Sequence, residues 1–428
     1  MATARTTALS ALIAARRQGA WSDGVLKEYI ARDRLDRRDA ALASQLCYGV
    51  MQNRLLLDYD LGQVLTGKLK DLQPIVTDIL RLGAYQILWM DRVPDSAAVN
   101  EAVEQCKRYV NKRASGLVNG VLRSLSGKKH ELKAPDSLSV KYSHPQELVE
   151  LLRESVGERE LEPLLAADNA PTPVTIQINP LRAPISEQEL TLTPHPWMPG
   201  CYYAENLGNV EQLEAFQNGS ILIQDPAARL AAEISGVQPG MEVLDVCAAP
   251  GGKSFAAAMQ MQNRGRITAC DIHPHKIDLI CKGAQRLGLE IISAQVQDAT
   301  KENPAFTGRM DVVLADVPCS GLGVIRKKPD IRYKDLEPLA RLPEIQAGIL
   351  ETVSGYVNRG GVLLYSTCTI LKRENEDIVT AFLQRHPEFS LEAFPAPTQL
   401  GQNGGMLTLY PGEQETDGFF IAKLRKTP

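Results

Sequence analysis

The chain has 428 residues, 44% of them hydrophobic and 23% charged, the balance of an ordinary globular protein with room for two or three domains. No apolar run approaches the roughly 18–20 residues that cross a bilayer, so a membrane-spanning function is excluded. The net charge of −4 argues against a uniformly basic nucleic-acid binder, yet residues 1–140 hold 21 Lys/Arg against 15 Asp/Glu and residues 141–428 hold 26 against 36, differences of +6 and −10 that sum to −4. A basic front half can meet phosphates on an acidic chain; a solvated helical surface with no partner accounts for the same charges.

The N-terminal stretch through Gly19 is interrupted by Arg5, Arg16 and Arg17 and has no compact apolar core before a cleavage site. It reads as an amphipathic helix rather than a targeting peptide. Leu9, Leu12 and Ile13, then Leu42, Leu46 and Val50, then Ile79, Leu80, Ala84, Ile87 and Leu88 recur at helical spacing and predict a helical block over residues 1–135. Asp36 and Asp39 are placed to cap its second segment. Lys107, Arg108, Lys112 and Arg113 cluster near its end; phosphate contacts from them would specify no base.

Residues 140–235 are mixed. Ser143-His144-Pro145 precedes a helix from Gln146 to about Ser155, with His144 read as a helix-start residue rather than a catalytic one. Val174 to Asn179 alternates β-formers with polar residues and predicts a strand, and Gly219 to Ala228 predicts a second strand and a turn into a helix. Residues 236–428 alternate strands, at 242–246, 267–271, 291–296, 311–315 and 361–366, with helices at about 253–262, 275–287, 344–358 and 373–385. A last strand covers 418–424. This alternation predicts an α/β domain with a mostly parallel sheet.

The first of these strands runs into Cys247-Ala248-Ala249-Pro250-Gly251-Gly252-Lys253, a turn that matches neither the dinucleotide nor the phosphate-loop glycine pattern. Gly251 and Gly252 permit close backbone approach to a ligand; two glycines alone are equally a turn that needs them for geometry. Asp271 ends the second strand, where an acid commonly accepts hydrogen bonds from ribose hydroxyls. Asp298 follows the third strand and Asp316 ends the fourth. One acid at a strand end is usually a turn or cap, but three after successive strands, behind such a turn, point to a nucleoside-binding crevice.

The eight cysteines form no C-x-x-C pair, so no metal site is expected, and free thiols in this number suit a reducing cytoplasm. Cys47, Cys106, Cys201, Cys270 and Cys281 read as small buried hydrophobes, and Cys247 as shape-filling in the turn. Cys319, in Asp316-Val317-Pro318-Cys319-Ser320-Gly321, and Cys368, in Tyr365-Ser366-Thr367-Cys368-Thr369, differ: each lies just past the end of a strand, on the side where ligands bind.

With the turn, the three acids and the two cysteine motifs in place, the chain resembles the RNA 5-methylcytosine methyltransferases over essentially its whole length. The resemblance implies a Rossmann-like methyltransferase domain over 236–428, a NusB-like helical RNA-binding domain over 1–135 and a small α/β linking subdomain over 140–235 that helps hold RNA and closes over the cofactor. It implies S-adenosylmethionine as cofactor, held by Cys247, Ala248, Ala249, Pro250, Gly251, Gly252, Lys253, Asp271, Asp298 and Asp316, with Asp298 meeting the adenine amino group. Catalysis would fall to Cys368 as nucleophile on carbon 6 of cytosine, Cys319 as the thiol that assists release, Asp316 at nitrogen 3 of the ring and Lys253 beside them. Carbon 5 of cytosine is a poor nucleophile, and thiolate addition at carbon 6 activates it. The basic run Arg326-Lys327-Lys328-Pro329-Asp330-Ile331-Arg332 occupies the place of a family segment suited to RNA phosphates near the target base, with a solvated loop as the plainer alternative. Val317 and Thr369 replace the commoner Ala and Ser of the two motifs and remove no reactive group. The implied partner is 16S rRNA, read by a cytoplasmic monomer. A tRNA cytosine methyltransferase of the same chemistry and a non-catalytic RNA-binding assembly factor are the alternatives; the front block favours rRNA, and the paired cysteines favour an enzyme.

Overall fold

A computed structural model describes residues 2–18, 23–185, 190–205 and 207–428; Gly19 lies outside these. The chain divides into two compact units, Met1–Asn169 with Lys328–Lys334, and Ala170–Lys327 with Asp335–Pro428.

The first unit is helical: α1 (Ala4–Gln18), α2 (Asp23–Arg32), α3 (Arg37–Gln52), α4 (Arg54–Val64), α5 (Pro74–Trp89), α6 (Asp95–Tyr109), α7 (Lys112–Lys128), α8 (Leu138–Lys141), α9 (Gln146–Val156) and α10 (Glu158–Ala167). Of the two acids placed to cap α3, Asp36 does so, accepting from the Asp39 N–H at 2.8 Å. Asn111 caps α7 by the same bond to Ala114. The apolar stripes read from the sequence close one core, with Leu9, Leu46, Ile79, Leu80 and Ala84 fully buried and Leu88 packed at its edge.

The sequence places a boundary near 135–140, whereas the first unit runs on to Asn169. Buried polar groups tie α8–α10 into it. His144 is buried, with Nδ1 at 2.7 Å from the Tyr142 carbonyl and Nε2 at 3.2 Å from Asp168; burial holds its imidazole below the ordinary range. Arg332, only 1% exposed, donates to the carbonyls of Gln52, Tyr142, Ser143 and Asp168 and to Asn169 Oδ1. Tyr333 donates to the Met51 carbonyl at 2.9 Å, and its ring lies under the Arg54 guanidinium.

The second unit carries two sheets. The smaller has four antiparallel strands in the order β2-β3-β1-β4, formed by β1 (Val174–Ile178), β2 (Thr191–Pro194), β3 (Cys201–Glu205) and β4 (Ile221–Ile223), with the short α11 (Glu214–Gln217) before β4. Next come α12 (Pro226–Ile234), β5 (Glu242–Asp245), α13 (Gly252–Gln260), β6 (Arg266–Asp271), α14 (Pro274–Leu287), β7 (Ile292–Val296), β8 (Met310–Asp316), α15 (Leu342–Ser354), β9 (Val357–Thr367), α16 (Glu376–Arg385), β10 (Phe389–Leu391), β11 (Met406–Leu409) and β12 (Phe419–Lys426). The large sheet has the order β10-β12-β9-β8-β5-β6-β7, with β11 also paired to β12. Strands β5 to β9 run parallel, and β12 runs antiparallel between β9 and β10.

Both faces of this sheet are covered. Val312 and Leu314 of β8, and Val362 and Leu364 of β9, enter one core, and the residues between them, Val313 with Ala315 and Leu363 with Tyr365, enter the other. That is why these strands read as continuous apolar runs. The third expected helix overran: α15 stops at Ser354 and the chain is already in strand at Val357, which pairs with Met310. The last helix starts three residues later than expected, because Asn375 leaves helical geometry at φ −118°, ψ −101°.

Strand order reverses between β5 and β8. Chain from β5 passes to β6 and β7 on one side, then returns to β8 on the other. In open α/β sheets, ligands bind outside the carboxyl ends of the strands at this point.

Candidate active site

The loop after β5 is shaped from within. Gly251 has φ +112°, and a Cβ there would meet the Phe255 ring at 2.3 Å, whereas one on Gly252 would stand 3.2 Å from Gln224. At Gly251 the glycine therefore serves the turn and the Phe255 packing, beyond any ligand approach. The Ala248 N–H donates to the Cys270 carbonyl at 2.7 Å and pins the loop to the end of β6. The Cys247 thiol is pushed up by burial and by the charges of Asp245, Asp316 and Asp271, which marks these three acids as converging on the loop and leaves the thiol inert.

Asp245, at the end of β5, was given no role from sequence. It is buried, accepts from Ser254 Oγ at 2.7 Å through Oδ2, and has no partner at Oδ1. Burial, with the Asp316 charge a smaller cause, pushes it up to about 7. The signal that found Asp271 and Asp316, an acid at a strand's carboxyl end, applied equally to it.

Asp271 is also buried; its Oδ1 accepts from the His273 N–H at 3.0 Å, and Lys276 Nζ lies 3.7 Å from Oδ2. The Gln297 N–H donates to the Asp271 carbonyl at 3.1 Å, joining the ends of β6 and β7. Asp298 closes a turn, its Oδ1 accepting from Thr300 N at 3.0 Å and Oγ1 at 2.6 Å. Those bonds hold it below the ordinary carboxylate range. Ile272 and Val296 beside these acids are apolar and more than half exposed, 53% and 52%. A buried acceptor without a partner, ribose-type acceptors at strand ends and open apolar side chains between them fit a nucleoside ligand.

Four side chains meet on the other side of the switch point. Lys253 Nζ, at the start of α13, lies 2.6 Å from Asp316 Oδ2 and over the Phe419 ring. Asp316 Oδ1 accepts from Ser366 Oγ at 2.8 Å, so both oxygens of Asp316 already take a proton donor. Past the ends of β8 and β9, Cys319 Sγ and Cys368 Sγ stand 3.2 Å apart. Two thiols at this distance lose their first proton with the help of the other's S–H, and the second against a thiolate. The bond of Cys319 to Cys368, its burial, and the charges of Cys368, Glu374 and Asp316 place the Cys319 thiol well above the ordinary thiol range.

Backbone packing that no motif announced keeps the sulfurs together. The Gly323 N–H donates to the Cys368 carbonyl at 3.0 Å and the Gly418 N–H to the Gly323 carbonyl at 2.7 Å. A Cβ on Gly323 would stand 2.0 Å from the Gly418 carbonyl oxygen, so neither strand of chain can carry a side chain there.

The basic run is not a phosphate surface. Lys327 Nζ lies 2.7 Å from both Asp225 and Asp417, Arg326 pairs with Asp417 at 3.2 Å, and Arg332 is buried in the first unit; Lys328 alone of its four cations is exposed. Positive charge shows in a sequence, but its partners, here 90 to 102 residues away, do not. Of the five cysteines read as buried, Cys47, Cys106, Cys201 and Cys270 are so, but Cys281 is exposed, because Ile280, Ala284 and Leu287 form the inward stripe of α14.

Residues 234–425 match the family model described as 16S rRNA methyltransferase RsmB/F, and residues 2–126 match the NusB family. A probable ribosomal RNA small subunit methyltransferase B of Bacillus subtilis is 37% identical over 99% of this chain and 98% of its own length. Its namesake in Synechocystis is 34% identical over the full length of both. The chain belongs to the RsmB/F family of 16S rRNA methyltransferases. The solved structure of PH0851 superposes with a TM-score of 0.81 at 26% identity, with 98% of each chain covered. The RsmB/F match begins at the last residue of α12 and covers the large sheet up to the penultimate residue of β12, so all four converging side chains, Lys253, Asp316, Cys319 and Cys368, lie inside it. Among the described residues no helix is long and apolar enough to cross a membrane, and no cluster of His, Cys, Asp and Glu could hold a metal ion.

Proposed function

We propose that this RsmB/F member transfers a methyl group from S-adenosylmethionine to carbon 5 of a cytosine in 16S rRNA, through a covalent bond between Cys368 and the base. One observation carries the reading: two thiols 3.2 Å apart beside the Lys253–Asp316 pair, at the switch point of the sheet. The Cys368 thiolate adds to carbon 6, and the displaced electron pair makes carbon 5 nucleophilic. Asp316, fed a proton by Lys253 at 2.6 Å, supports nitrogen 3 as that charge develops. When bound, S-adenosylmethionine supplies the electrophilic methyl. Water takes the proton from carbon 5, the C5–H electron pair re-forms the C5=C6 bond, the S–C6 bond breaks and Cys368 leaves as thiolate; the Cys319 S–H, 3.2 Å away, stabilises that leaving group. Since a base inside a duplex is out of reach, the target is unpaired or flipped out.

Asp271 accepts from the ribose hydroxyls, Asp298 meets the adenine amino group, the loop Cys247–Lys253 wraps the methionine end, and Ile272 and Val296 offer apolar walls. The protein works in the cytoplasm. Transfer of labelled methyl to 16S rRNA, recovered as 5-methylcytosine on digestion, tests the activity; label recovered only in tRNA would overturn the substrate. Asp271→Ala should weaken S-adenosylmethionine binding by about one to two powers of ten, the worth of a hydrogen bond to a charged group. Unchanged affinity by calorimetry would remove Asp271 from the site.

The helical front block supplies part of the RNA footprint. Lys107, Arg108, Lys112 and Arg113 are exposed at the junction of α6 and α7. The first unit extends to Asn169 and takes in Lys328–Lys334, so the surface is best tested by substitution in the whole chain. Changing all four to Ala should cost about tenfold or more in rRNA affinity at low salt, with the gap narrowing as salt rises. Equal affinities at low salt would exclude these residues from the footprint.

A further inference from the structure

Two adjacent residues beyond the Thr-Cys motif look in sequence like the charged start of a helix, yet Glu374 and Asn375 are both 0% exposed. Each side chain reaches one of the cysteine loops. Asn375 accepts from Thr367 Oγ1 at 2.6 Å and donates to the Thr369 carbonyl at 2.9 Å, gripping the residues on either side of Cys368. Glu374 Oε2 accepts from the Ser320 N–H at 2.9 Å, directly after Cys319, and from Gln346 Nε2 at 2.9 Å. Gln346 also donates to the Pro318 carbonyl at 2.9 Å, directly before Cys319. A bond of 2.8 Å between Ser320 Oγ and Thr369 Oγ1 ties the two loops together.

Stability does not explain the carboxylate. Its Oε1 is buried without a partner, and among the described residues the donors to its carboxyl group are Ser320 and Gln346, with no Lys, Arg or His. A buried, half-satisfied anion destabilises the fold relative to a neutral group of the same shape. An amide would meet Ser320 and Gln346 through its oxygen equally well, so a carboxylate differs from it here by its charge.

We propose that Glu374 is a positioning residue for the release step: it holds the Cys319 loop and, through its charge, keeps the Cys319 S–H available as the donor to the departing Cys368 thiolate. This rests on the two-thiol reading above. The groups facing Cys319 are Cys368 from the end of β9, Asp316 from the end of β8 with Lys253 behind it, the Tyr365 hydroxyl and Glu374. Of these, Glu374 contributes an anion with no paired cation, and it acts against loss of the Cys319 proton. When Glu374 is neutral, Cys319 deprotonates at lower pH. The departing thiolate then meets a second thiolate instead of a donor, and the Cys368–cytosine adduct persists.

The test is Glu374→Gln, which keeps shape and acceptor, with Glu374→Asp as the variant that keeps charge. In the whole protein without RNA, the pH dependence of Cys319 alkylation by iodoacetamide, read by mass spectrometry, should move its midpoint down by about one pH unit in Glu374→Gln, and by clearly less in Glu374→Asp. With 16S rRNA and S-adenosylmethionine present, the covalent adduct should begin to accumulate at a pH lower by the same amount. An alkylation midpoint unchanged in Glu374→Gln, or moved equally by both variants, overturns the proposal and leaves the roles of the two cysteines untouched. If Cys319→Ala traps no adduct, the reading of the cysteines fails instead, and the alkylation midpoint still decides whether Glu374 sets the state of that thiol.

Discussion

Cys368→Ala should abolish methyl transfer, by at least about three powers of ten, and form no covalent RNA adduct, because loss of a nucleophile removes the only route through the covalent path. Cys319→Ala should attack and methylate, then stall with the protein bound to RNA. The difference follows from the 3.2 Å contact between the sulfurs. A hydrogen bond to the free Cys368 thiolate stabilises the released state and not the adduct, where that sulfur is bonded to carbon and uncharged. Hydrogen bonds to charged groups are worth about 1.5–3 kcal/mol, so losing this one should slow release by about one to two powers of ten. Denaturing gels with labelled RNA and S-adenosylmethionine report both variants. An adduct in Cys368→Ala but not in Cys319→Ala would exchange the two roles. Adduct in neither would remove Cys319 from release.

Arg332→Ala should destabilise the helical unit by about 3–5 kcal/mol, since several buried hydrogen bonds to a charged group, each worth about 1.5–3 kcal/mol, are lost at once. The guanidinium is 1% exposed. It serves the carbonyls of Gln52, Tyr142, Ser143 and Asp168 together with Asn169 Oδ1, at 2.9 to 3.4 Å, acceptors from three separate stretches of chain. Deleting it leaves these acceptors and a cavity the size of the side chain. Arg332→Lys should recover little, since one ammonium cannot reproduce a planar fork that reaches acceptors on all three stretches. Urea unfolding followed by helical circular dichroism measures the loss. A decrease below about 1 kcal/mol for the Ala variant would mean that water replaces the guanidinium at nearly equal cost, and the structural role would fall.

Much of this protein is legible in its amino-acid order, and the legible parts share a physical basis: they depend on short-range periodicity. Leu46, Ile79 and Leu80 mark the core of the helical unit because an α-helix repeats every 3.6 residues. The strands ending at Asp271 and Asp316 show because a sheet covered on both faces needs unbroken apolar runs. Once those strands are placed, Asp271, Asp298, Asp316, Cys319 and Cys368 fall at their carboxyl ends without further information. Tertiary structure alone decided the remainder, which depends on partners distant in the chain. Nothing near Arg326, Lys327 and Arg332 reveals that Asp225, Asp417 and the backbone of the helical unit take up their charge. Glu374 has the look of a surface acid until folding brings Ser320 to it from 54 residues away. Asp245 shared the strand-end signal, yet its unpaired buried oxygen exists only once Ser254 has taken the other. The sequence determined that two thiols lie at the ends of adjacent strands. Their separation of 3.2 Å was decided by the packing of Gly323 against Gly418 and by the paired grip of Glu374 and Asn375, since backbone approach and buried contacts depend on the whole surroundings and not on the order of neighbours.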